Sequence, residues 1–66
     1  MKIRILPGGE EREVEPGTAA AVLRSLGLRS EAHLVIRNDE VVTGDTRLKE
    51  ADVVEVWPVI SGGGAR

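Results

Sequence analysis

The chain has 66 residues, with 9 Lys and Arg against 11 Asp and Glu, a net charge of −2, one His, one Trp and no Cys, Phe or Tyr. That composition excludes a disulfide framework or thiolate metal site, and it argues against a basic surface for a phosphate backbone or an aromatic platform for stacked bases. No segment approaches the ~20 apolar residues of a membrane span, and "MKIRILPGGE" lacks a signal peptide's apolar run, so one small cytoplasmic domain is expected.

"MKIRIL" alternates, with Met1, Ile3 and Ile5 on one face and Lys2 and Arg4 on the other, which predicts a half-buried strand. "PGGE" follows as a tight turn, Pro7 fixing φ and Gly8 and Gly9 supplying positive φ. "EREVEP" reads as the returning strand with Val14 inward and Glu13 and Glu15 outward. The two glycines are not a phosphate loop, because no helix N-terminus follows them.

"GTAAAVLRSLGL" predicts the one helix. Thr18 is the N-cap, and Ala19, Val22, Leu23 and Leu26 fall on one apolar face. Gly27 takes the left-handed C-cap position, with Leu28 packing back on the last turn. "HLVIRNDEVV" predicts a second hairpin turning at "RNDE", with Leu34 and Ile36 facing the core. His33 has neither a base partner nor a metal partner in the sequence and reads as a surface residue. In "TGDTRLKEAD", Leu48 and Ala51 are expected to plug the bottom of the core. "VVEVWPVI" is the last strand, with Val54 and Val56 inward and Trp57 outward beside Glu55 and Val59.

The expected fold is therefore α+β, in the order ββαββ, with one helix across one mixed sheet. The core is expected to gather Met1, Ile3, Ile5, Val14, Ala19, Val22, Leu23, Leu26, Leu34, Ile36, Leu48, Val54 and Val56. The domain spans residues 1–60, and 61–66 form a tail. With one His and no Cys or Tyr, the chain has few groups for catalysis and is not expected to be an enzyme. An exposed Trp beside aliphatic residues marks a contact surface, so Trp57, Val59 and Ile60 are the candidate docking patch.

The helix ending in Leu26-Gly27-Leu28, the hairpin "VIRNDEVV" and above all "LKEADVVEVWPVISGG" resemble the ThiS/MoaD family of sulfur carriers. The likeness covers essentially the whole chain. It implies a ubiquitin-like β-grasp fold and a C-terminal glycine activated by a partner. In that family an E1-like adenylating enzyme of the ThiF/MoeB type uses ATP to convert the terminal carboxylate to an acyl-adenylate. Persulfide sulfur then gives a thiocarboxylate, or a thiol and finally a substrate lysine captures the acyl group. Carried onto this chain, the reactive segment is Gly62, Gly63 and Gly64, which lack a Cβ and can thread a narrow channel. Most such carriers stop at Gly-Gly, whereas here Gly64, Ala65 and Arg66 follow Gly62–Gly63. The expectation is a precursor from which Ala65 and Arg66, or Gly64–Arg66, are removed by a JAMM-type peptidase. The implied partners are the adenylating enzyme, that peptidase, and a sulfur acceptor or protein lysines, with no nucleic acid, membrane, metal or bound cofactor. A stand-alone β-grasp interaction module with an inert tail is the second reading.

Overall fold

A computed structural model describes residues 1–59 of the protein. The order is β1 (Lys2–Ile5), β2 (Glu10–Glu13), α1 (Ala19–Ser25), a short 3-10 turn (Ser30–Ala32), β3 (His33–Arg37), β4 (Glu40–Val42) and β5 (Val54–Pro58). With both strands of the second hairpin and the closing strand counted, the order is ββαβββ. The five strands form one sheet in the order β2-β1-β5-β3-β4. β5 lies in the middle, parallel to β1 and antiparallel to β3. A mixed sheet of this order with a single helix across one face is the β-grasp fold.

Seven residues are too few for a helix to persist alone, so caps and packing decide whether α1 forms. At its start the Thr18 hydroxyl accepts from Ala21 N at 3.2 Å. The Ala19 and Ala20 amides donate to the carbonyls of Thr46 and Gly44. At its end Gly27, at φ +75, lets Leu28 N reach Leu23 O at 2.9 Å and Gly27 N reach Arg24 O at 3.0 Å. This is the expected glycine C-cap, made as a Schellman pair.

Ala19, Val22 and Leu23 of the helix are buried with Met1, Ile3, Val35, Leu48, Val54 and Val56. Ile5, Val14 and Leu26, expected in the core, are half-buried at its margin.

Strand β3 corrects the expected phase. Val35 is the buried residue, Leu34 is exposed and Ile36 is half-buried on the opposite face. The cause is register: Val35 stands opposite both Val42 and Val56, so these three share the helix-facing side. Leu48 fills the core as expected, but Ala51 is exposed and plugs nothing. In the first turn only Gly9, at φ +80, takes positive φ; Gly8 does not.

The second turn is Asn38–Asp39, both at positive φ (51 and 73), as a two-residue hairpin turn of the primed kind requires. Asn38 is also a clamp. Its amide donates to Val53 O at 2.8 Å, while its side-chain oxygen accepts from Val53 N at 2.9 Å. Its Nδ2 lies 3.3 Å from Asp52 Oδ1, and Asp52 Oδ2 accepts from Lys49 N at 2.8 Å. That backbone hydrogen bond, ahead of the one from Asn38, holds the Asp52 carboxyl below the usual aspartate range. Asn38→Gly keeps the turn but removes the side-chain bonds, and should cost about 1 kcal/mol in chemical denaturation. Asn38→Ala should cost a further ~1–2 kcal/mol, because Ala resists the left-handed region. Equal stabilities of the two variants would remove backbone strain from this account.

The amino group of Met1 is anchored under the β1–β2 hairpin. It donates to Val14 O at 2.7 Å and lies 3.0 Å from Glu50 and 3.2 Å from Glu13. The hydrogen bond it donates to Glu50 is the main cause of its raised pKa, with Glu13 adding to it and desolvation opposing. A raised folded value means the ammonium's contribution is complete below its ordinary pKa of about 8 and is lost as pH rises through the folded value. Melting temperature should therefore fall across that alkaline window, and Glu50→Gln should flatten the fall.

Candidate functional site

The sheet has two faces, one covered by the helix and one open. On β5, Val54 and Val56 point to the helix, so Glu55 and Trp57 point to the open face. Leu34 of β3 stands directly opposite Trp57, and Ile36 opposite Glu55. Directly opposed residues in an antiparallel pair sit close enough for their side chains to touch. Trp57 and Leu34 remain 40% and 42% exposed, and the indole Nε1 donates to Glu55 Oε1 at 3.2 Å. That bond satisfies the ring's polar edge and leaves its apolar surface outward. Val59 is exposed just beyond β5, and its amide donates to Ala32 O at 2.8 Å.

The other half of the open face is charged. Lys2 and Arg4 of β1 lie beside β5, with Arg4 opposite Glu55. Each is 3.8 Å from Glu11 of β2. Such exposed pairs contribute little to stability and mainly keep this half soluble. A shallow depression of about 350 Å³ lies at the junction, walled by Lys2, Arg4, Glu11, Asp52 and Val53 among others.

Of the expected patch, Trp57 and Val59 are exposed as the alternation required, and Ile60 lies outside the described residues. So do Gly62, Gly63 and Gly64 and the extension Ala65–Arg66. The structure adds Leu34 and Ile36, which the alternation had placed in the core. His33 stays structural: its Nδ1 donates to Arg29 O at 2.9 Å, closing the 3-10 turn. Among the described residues no group of His, Asp or Glu is placed to hold a metal ion, and no helix is long and apolar enough to cross a membrane.

A small β-grasp domain with a half-apolar open face, whose central strand runs toward a glycine-rich end, falls in the class of ubiquitin-like proteins. The chain belongs to the ThiS family, whose model matches residues 2–63. It is also 37% identical over 59 residues to the sulfur carrier protein TtuB of Thermus thermophilus, covering 88% of this chain and 91% of that protein.

Because Trp57 keeps 40% of its surface exposed on the open face, outside the helix-covered core, Trp57→Ala should leave a cooperative fold, at a cost of about 1–2 kcal/mol. Val56→Ala, at a fully buried position, should cost about 1–3 kcal/mol. Thermal or urea unfolding followed by far-ultraviolet dichroism checks the order. A Trp57 variant that unfolds more readily than the Val56 variant would make the indole a core group.

Proposed function

We propose that the chain is a sulfur carrier, made as a precursor and activated at a C-terminal glycine after Ala65 and Arg66 are removed. The observation that carries this is the placement of the apolar patch. Trp57 and Leu34 lie at the root of the segment that leads into Gly62–Gly64, where an enzyme acting on the tail must dock. The family match runs to Gly63 and stops there, which favours Gly63 as the mature terminus and Gly64–Arg66 as the piece removed. The sulfur carrier name of the Thermus relative supports the same reading.

In this reading the chain is the substrate and partners do the chemistry. A JAMM-type peptidase hydrolyses the bond after the chosen glycine and exposes its carboxylate. In the E1-like adenylating enzyme that carboxylate attacks the α-phosphorus of ATP, and pyrophosphate leaves. The terminal sulfur of a partner's persulfide attacks the acyl carbon and displaces AMP. A thiol then reduces the acyl disulfide and releases the thiocarboxylate. Protein conjugation would start from the same acyl-adenylate, with a thiol and then a lysine amine as acceptors. The glycines have no side chain to obstruct a narrow active-site channel.

The full chain and a chain ending at Gly63 are each incubated with the adenylating enzyme, ATP and a persulfide donor. Intact mass then reads the products. The Gly63-ended chain should gain the difference between sulfur and oxygen, and the full chain should stay unchanged until the peptidase is added. Trp57→Ala should weaken engagement of the adenylating enzyme about tenfold or more while leaving the fold in place. Thiocarboxylate formation on the untrimmed chain would sink the precursor step.

A further inference from the structure

The sheet ends in two edges that the sequence treats differently. β2 is Glu10, Glu11, Arg12 and Glu13, all charged and exposed, a pattern that keeps an edge from pairing. β4 at the other edge carries Val41, 59% exposed, and half-buried Val42. The two-residue turn sets Arg37 opposite Glu40, so antiparallel alternation points the N–H and C=O of Val41 away from β3. Among the described residues no strand lies beyond β4. Where β4 stops, β3 runs on to His33, and a groove of about 310 Å³ opens beside the helix. Ala20, Leu23, Leu34, Val42 and Gly44 line it, together with His33 and with Glu31, whose carboxylate is paired with Arg29 at 3.3 Å.

We propose that the β4 edge is a second docking surface, taking an extended segment of a partner protein as a sixth strand in which apolar residues alternate with Lys or Arg. Main-chain bonds to Val41 hold such a strand, and alternate side chains select it. One set lies along Val41 and Ile36 on the open face, and the other turns toward Val42 and the groove. Charge decides the rest. Residues 38–46 include Asp39, Glu40 and Asp45 and no basic residue. Among the described residues Asp39, Glu40 and Asp45 make no ion pair. Arg37, which stands opposite Glu40, is half-buried and directs its guanidinium to the carbonyl of Arg47, the basic residue that follows the segment, at 3.4 Å. A second copy of this chain fits less well, because neither of its edge strands supplies the basic, apolar alternation: β4 carries Glu40 and β2 is Glu10, Glu11, Arg12 and Glu13. A basic, apolar strand meets the opposite sign. The surface does not depend on the tail chemistry, so each can fail alone.

The test titrates the isotope-labelled full chain with a short synthetic peptide of alternating valine and lysine, followed by amide NMR shifts. Shifts should centre on Glu40–Val42 and on groove residues such as Ala20 and Leu23. A peptide of the same sequence with alternate backbone nitrogens methylated keeps the charge but cannot pair, and should not bind. Val41→Pro removes the outward donor at an edge position that tolerates proline, and should weaken binding about tenfold or more. Should that variant misfold, Glu40→Lys reverses the edge charge with the backbone intact and should weaken binding likewise. Equal binding of the methylated peptide, shifts centred on β2 or Trp57, or no shifts at millimolar peptide would each overturn the proposal.

Discussion

The parallel pairing of β1 with β5 is the constraint on which the rest of the molecule depends. Ile3 and Ile5 stand opposite Val54 and Val56, and of these four only Ile5 is not fully buried. Because the last strand is the central one, its helix-facing residues are sealed on both sides. Its open-face residues lie in the middle of the exposed surface rather than at a margin. Parallel pairing also puts the ends of β1 and β5 at the same end of the sheet. The Leu6 amide donates to Val56 O on one side, and the Val59 amide donates to Ala32 O on the other. The end of β5 therefore lies between the first hairpin turn and the 3-10 turn, with Leu34 beside Trp57.

Much of this was legible in the sequence, and the part that was not has a definite cause. Helix α1 was fully specified, because Thr18, the apolar face and Gly27–Leu28 each satisfy a separate requirement and all agree. The phase of β5 was readable because Glu55 interrupts its valines. The phase of β3 was not. Leu34, Val35 and Ile36 are consecutive apolar residues, and the two-residue turn pairs Ile36 with Val41 and Val35 with Val42 equally well. Either pair could face the helix on hydropathy alone, and the register against Val56 is what chooses. The usual rule that larger aliphatics go inside fails here, because the β3–β5 half of the open face is itself apolar. That failure falls on Leu34 and Ile36, which share the open face with Trp57 and Glu55.

Asn38 shows a different kind of hidden information. Its sequence signal was a turn residue, and it does take positive φ. Its greater role is to tie that turn to Asp52 and Val53, residues far along the chain, immediately before β5. No local pattern announces such a tie. It holds the second hairpin and the loop entering the central strand in fixed relation, which keeps the register between β3 and β5.

The central place of β5 also orders events in time. Each hairpin can close from local contacts, and the helix carries its own caps, but Ile3 meets Val54 only after every other strand has been made. Long-range closures of this kind slow folding, since loop entropy is lost before the contact forms. Because β5 follows the other four strands in the chain, the sheet has no middle until it has been made. Completion of the core and of the open face around Trp57 are thus one event. A chain stopped before β5 would have neither a sealed core nor the pairing of Leu34 with Trp57.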